Sequence, residues 1–199
     1  PLFIHQFSHA WIDLRGIRDE FMREKNCDYF ENSRRATEVQ RAYAHRNPLS
    51  FRGYADDCWG LTACDGPSVS PPALASEHRH LFGYAARGVP YGPDDGTLSG
   101  WAALASLPFA PEVTLHAVRR MLERYPEMLP ADQYASSFNP SLAVDDGPAW
   151  ISPGHFALDQ GIVLMMIENH RSELIWRLLR DCPVIRSGLQ RAGFRGGWL

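Results

Sequence analysis

Apolar positions along this chain recur mostly at helical spacing. Phe3, Phe7, Ile12, Ile17 and Phe21 form one such series, broken near Gly16. The run "DYFENSRRATEVQRAYAHRNP" predicts a helix that starts near Asp28 and is ended by Asn47-Pro48. "SGWAALASLPF" predicts a short buried helix stopped at Pro108. "APEVTLHAVRRMLERYP" places Pro at a helix start, Glu in the first turn and Val113, Leu115, Val118, Met121 and Leu122 towards a core. In "FALDQGIVLMMIENHRSELIWRLLRD" an almost wholly apolar helix meets an amphipathic one, and "VIRSGLQRAGF" predicts a last short helix. No period-2 strand pattern and no internal repeat is evident. The fold class expected is all-α.

Between these helices lie long polar stretches. Residues 66–98 are rich in Pro and Gly, and "PADQYASSFNPSLAVDDGPAWISPGH" has no helical period. Loops of such length, loaded with Asp, Trp and Gly, are usually functional. They predict a helical scaffold with a polar, aromatic rim.

The 199 residues, 45% hydrophobic and 22% charged, suit one globular domain. A formal net charge of −3 disfavours nucleic acid as a partner. Arg supplies nearly all the cations, with Lys25 the single lysine. No stretch of 18 apolar residues is present to span a membrane. The chain opens on "PLFIHQF" without an initiator Met and is read as a truncated piece. Cys58 and Cys64 in "CWGLTAC" match no zinc spacing; two buried thiols are favoured over a disulfide.

Three groups of residues could carry chemistry. His5, His9 and Asp13 are four apart and share one helix face, as a cleft wall, a structural polar seam or a metal site. The metal reading lacks the Glu of HExxH, and Trp11 is read as packing. The acids are Asp56, Asp57 and Asp65 around Trp59, Asp94 and Asp95 before Trp101, and Asp159 and Glu168 in or beside the most apolar segment. The paired aspartates could cap turns and Asp159 could cap its helix. Yet an acid in apolar surroundings costs free energy unless it is paired or does chemistry. Trp59, Tyr84, Trp101 and Trp150 lie mostly in loops, where flat faces with polar tips suit a binding surface. No phosphate loop, nucleophile elbow or dinucleotide fingerprint is present.

"PLFIHQFSHAWIDLRGIRD", "DYFENSRRAT", "CWGLTACDGP", "DDGTLSGWAALASLPFAPE" and "LDQGIVLMMIENHRSELIW" together resemble the glycoamylase-like domain family, over residues 1 to about 195. That family includes endo-β-1,2-glucanases and the central region of cyclic β-1,2-glucan synthases. The resemblance implies an (α/α)6 toroid with its active site at one end. It also implies hydrolysis or transglycosylation of β-1,2-linked glucan without metal or organic cofactor. Twelve helices need far more than 199 residues, so residues 1–199 are expected to be the C-terminal portion of the toroid. The expected partners are a glucan and either the missing N-terminal half or a second copy. The resemblance carries Asp57 and Asp159 over as the catalytic pair, with Asp57 the proton donor. It places His5, His9, Asp13, Arg15, Asp65, Asp95 and Glu168 along or behind the cleft, to which Trp59 and Trp101 are added as binding aromatics. The competing expectation is a silent glucan-binding domain.

Overall fold

The computed structural model describes residues 1–69, 80–129, 134–145 and 147–199. Parts of the two long loops read from the sequence, 70–79, 130–133 and 146, lie outside the described residues.

The chain folds around eight α-helices among the described residues. They are α1 (Phe3–Trp11), α2 (Glu20–Glu24), α3 (Tyr29–Arg46), α4 (Gly100–Leu104), α5 (Pro111–Arg124), α6 (Ala157–Ser172), α7 (Leu174–Arg180) and α8 (Pro183–Arg191). The local signals explain most boundaries. The Asp28 side chain accepts from the Glu31 N–H at 2.7 Å and starts α3. Asn47 ends it in the left-handed region, at φ 43°. Pro111 opens α5, where its missing N–H costs nothing. The series at residues 3–21 divides into α1 and α2, because Gly16 turns at φ +73° and the Asp19 side chain caps a new helix at the Met22 N–H. Asp159 is not the N-cap of α6; Phe156 holds that position and Asp159 lies in the first turn.

Four strand segments also form, which the sequence did not foretell: β1 (Ala63–Cys64) pairs antiparallel with β2 (Ala85–Ala86), and β3 (Phe138–Asn139) with β4 (Trp150–Ile151). Each is two residues long, too short for an alternating pattern to register.

The main core gathers Leu2 and Ala10 with Trp59, Leu61, Leu98, Trp101, Phe109, Met121, Phe138, Ile162 and Met166. A smaller one joins Leu14 and Ile17 to Leu189, flanked by Phe194 and Trp198. Trp11, expected to pack, is instead 54% exposed on the outer side of α1. Cys58 and Cys64 are buried free thiols.

One ion pair lies wholly inside the loop region. Arg87 and Asp95 have no exposed side-chain surface and meet through two bonds, at 2.7 and 2.8 Å. Arg87 also donates to the Cys64 and Gly83 carbonyls, both at 2.9 Å, so it ties β1 to the loop that crosses it. Burial is the largest single effect and would raise the Asp95 pKa, but the bonds and charge of Arg87, together with hydrogen bonds from Thr97 and Phe82, hold the carboxyl below its ordinary value. Removing one partner leaves a buried charge uncompensated. Asp95→Ala should therefore destabilise the chain by about 3–5 kcal/mol in urea unfolding. A loss below about 1 kcal/mol would mean that the pair does not hold the loop.

Candidate active site

A cavity of about 450 Å³ opens between the helical core and the loops. Phe3 and Phe7 of α1 line one side, and Trp101 of α4 lines another. Ala63, Cys64 and Asp65 come from β1 and the residue after it. Tyr84 and Ser136 come from loops, and Phe156, Leu158 and Asp159 from the start of α6. The lining thus brings two carboxylates, Asp65 and Asp159, among aromatic and aliphatic side chains. Among the described residues it includes no Arg, Lys or His.

Asp159 is 9% exposed. Burial raises its pKa to about 6, and the charge of Asp65 adds to the rise, while a hydrogen bond with the Ser136 side chain opposes it. Asp65 sits at the wall between this cavity and a second one of similar volume, about 450 Å³, beside Trp150 and Ser152. The Ser152 hydroxyl lies 3.5 Å from its carboxylate. Gly154 is packed so tightly here that a Cβ would stand 2.7 Å from the Phe156 ring and 3.2 Å from the Asp65 Oδ2. Any side chain at this position would push into the cavity wall.

The other residues singled out by sequence lie elsewhere. Asp57 does not line this cavity. Arg124 donates to both of its carboxylate oxygens at 2.8 Å, and Arg120 adds a contact at 3.5 Å. Asp57 and Asp159 are thus not brought together in it, because Asp57 is committed to the end of α5. His5 and His9 share a helix face, as their spacing requires, but that face is turned away from Phe3 and Phe7. It borders a separate groove with Ile12, Leu14, Tyr29 and Ser33. The Ser33 hydroxyl lies 3.3 Å from His5 Nδ1 and 3.1 Å from His9 Nε2, and His9 Nε2 is 3.2 Å from the Tyr29 carbonyl. Burial pushes His9 down to about 4, so it is neutral at physiological pH.

Asp13 is buried between Arg15 and Arg180, at 2.7 and 3.4 Å. Arg15 also reaches Glu173 and lies 4.4 Å from the Trp176 ring centroid, so this quartet ties α7 to the segment that follows α1. Asp95 belongs to the buried pair with Arg87, and Glu168 binds Arg171 at 2.8 Å on α6. Trp59 is core, whereas Trp101 reaches the cavity. Among the described residues no cluster of three or more His, Cys, Asp or Glu is arranged to hold a metal. Sequence reasoning missed Phe3, Phe7, Ser136 and Phe156 as cavity residues. The i, i+4 spacing of Phe3 and Phe7 carried a signal, but one indistinguishable from core packing.

A family model described as "Putative glucoamylase" matches residues 1–183. An exo β-1,2-glucooligosaccharide sophorohydrolase of Parabacteroides distasonis is 30% identical over 192 residues, which are 96% of this chain and 23% of that protein. A crystal structure described as a "putative glucoamylase" of Bacteroides uniformis is 35% identical with a TM-score of 0.82. It covers all of this chain, which spans 42% of its own length. The endo-β-1,2-glucanase of Chitinophaga pinensis, solved with sophorotriose and glucose, is 28% identical with a TM-score of 0.78. All of this chain again corresponds to 42% of that protein. The chain therefore spans well under half the length of these relatives.

The state of Asp159 has a measurable consequence for stability. Its folded pKa, about 6, lies above the ordinary value of 3.8. The folded state therefore holds the proton more tightly, and that stabilisation is complete below about pH 4 and lost as pH rises through 6. Asp159→Asn keeps a neutral side chain at every pH. At pH 8 it should be more stable than wild type by on the order of 2 kcal/mol, with the gap closing at pH 4. Denaturant unfolding at the two pH values checks this; equal stability at pH 8 would contradict the burial of an ionised Asp159.

Proposed function

The chain belongs to the glycoamylase family, and from that premise we propose that its acid-lined cavity is part of the active site of a β-1,2-glucan hydrolase. The observation that carries this reading is Asp159, a carboxyl pushed to about 6 inside an aromatic cavity that also contains Asp65. Glycoside hydrolysis needs two carboxyl groups in different states, one protonated near neutral pH and one charged. In this proposal Asp159 is the proton donor to the departing glycosidic oxygen. Asp65 carries the negative charge that stabilises the developing oxocarbenium ion or activates water.

The aromatic walls suit a glucosyl ring. Phe3, Phe7, Trp101 and Phe156 offer apolar surface, while Tyr84 adds a polar tip. The β-1,2 linkage is proposed from the activities that the sophorohydrolase and endo-β-1,2-glucanase relatives are named for.

The share of each relative that is matched supports a further part of the reading. Residues 1–199 are the C-terminal portion of an (α/α)6 toroid, whose remaining helices would close the cavity and supply further sugar contacts. Exposed apolar side chains on the helices, including Ile4, Leu164, Leu178 and Val184, fit a surface that such a remainder would cover.

The test is turnover by the full-length protein that contains the chain, wild type and Asp159→Asn, on linear β-1,2-glucan, β-1,3-glucan and starch. Short oligosaccharides should appear from β-1,2-glucan alone. The substitution should lower kcat by about 10²–10⁴-fold. For a proton donor of pKa about 6, wild-type activity should fall as pH rises through that value. Cleavage of starch would overturn the linkage, undiminished turnover by the variant would overturn the residue, and binding without turnover would make this a glucan-binding domain.

A further inference from the structure

Asp65 belongs to two cavities at once. One is the cavity of about 450 Å³ that it shares with Asp159. The other, also about 450 Å³, lies between the segment that follows Asp65 and the end of β4, where Trp150, Ser152 and Pro153 line it. Among the described residues Asp65 is the one lining residue that the two have in common. Gly154 stands where they meet. A Cβ there would lie 2.7 Å from the ring of Phe156, which lines the first cavity, and 3.2 Å from the Asp65 Oδ2.

Both sides of the second cavity are fixed by the fold. Trp150 and Ser152 line it, while Ile151 between them packs against the main core, in the alternation of a strand. β4 is set in register, with Trp150 opposite Asn139 and the Ser152 N–H donating to the Ser137 carbonyl at 2.9 Å. The Asn139 amide in turn donates to the Asp95 carbonyl and to the Thr97 hydroxyl, both at 3.0 Å. On the opposite side Arg87 holds the Cys64 and Gly83 carbonyls, and the Gly83 N–H donates to the Pro67 carbonyl at 3.1 Å. The buried Arg87–Asp95 pair therefore anchors both walls, and half-buried Trp150 sits on a rigid edge.

A glycosidic bond has a sugar on each side, and the carboxyl groups that cleave it flank it. We propose that the second cavity is the adjoining glucosyl subsite, with Trp150 the platform for its ring, so that the bond to be cleaved passes Asp65 with one sugar in each cavity. This rests on the reading of Asp65 and Asp159 as the acting acids. The flat indole suits the apolar C–H face of a glucosyl ring, and Pro153 adds apolar surface beside it. Asp65 is the one charged side chain among the described lining residues, so the cavity fits a neutral polyhydroxylated ligand. A preformed cavity with a few placed polar groups is the usual form of such a site.

The experiment uses the full-length Asp159→Asn protein and β-1,2-linked glucotriose. Labelling with 5-fluorotryptophan lets ¹⁹F NMR follow Trp150, its signal identified by its loss in Trp150→Phe. Glucotriose should shift that signal. In calorimetric titration Trp150→Ala should weaken glucotriose binding about tenfold. Trp150→Phe, which keeps a flat ring, should bind nearly as tightly as the unsubstituted protein. Should Trp150→Ala fail to fold, the fluorine signal still decides. A Trp150 signal that stays in place while glucotriose binds, or a folded Trp150→Ala that binds as tightly, would overturn this proposal and leave the reading of the acids standing. No binding of glucotriose at all would overturn both.

Discussion

The closed end of α1 is the constraint on which the rest depends. A helix leaves its last carbonyls without partners, and buried ones must be satisfied from elsewhere. Here the Trp176 indole N–H donates to the His9 carbonyl at 2.6 Å, and the Asn169 amide donates to the Ala10 carbonyl at 2.8 Å. Two buried side chains from α6 and α7 thus fix the first helix against the last ones, across some 160 residues of chain. Because α1 is fixed in rotation as well as position, its faces have separate fates. Phe3 and Phe7 wall the acid cavity, and His5 and His9 border a different groove. Rotating α1 would expose Phe7 and bury a second imidazole, which burial penalises.

The same structure divides the acids by environment. Asp13, Asp57 and Asp95 each face an arginine within hydrogen-bonding distance, and their charges serve to tie elements together. Asp94 accepts from the Tyr43 and Tyr54 hydroxyls at 2.9 and 2.6 Å and from the Gly96 N–H, in the manner of a turn-capping aspartate. Asp159 is nearly as buried as these but has no cation among the described residues of its cavity, and burial raises its pKa. A paired carboxylate stabilises a fold; an unpaired one at the wall of a cavity is available for chemistry.

This division sets how much is legible in the sequence. Helix positions follow from caps and breakers that act locally, such as Asp28, Asn47, Pro111 and Gly16. Asp159 stands out because a carboxyl inside "FALDQGIVLMM" sits where burial penalises its charge. Asp65 and Trp101 are visible by type, as an acid and an aromatic in a loop-rich stretch, but the wall they share with Asp159 is formed only by the fold. Asp57 has the same local appearance as Asp65, since both sit in the "DDCWGLTACD" run. They differ in Arg124, a partner 67 residues away that no local pattern reveals. Likewise the i, i+4 spacing of His5 and His9 fixes their common face but not what that face meets, which depends on Ser33 and Tyr29 of α3.

The central claim is that a glucan is held in the cavity of Asp65 and Asp159 rather than in the groove of His5 and His9. A crystal structure of the Asp159→Asn variant of the full-length protein, with a β-1,2-linked glucotriose bound, tests it most directly. The account predicts a glucosyl ring against Tyr84 and Trp101, with a glycosidic oxygen within hydrogen-bonding distance of residue 159. A sugar seated in the histidine groove, with the acid cavity empty, would contradict it.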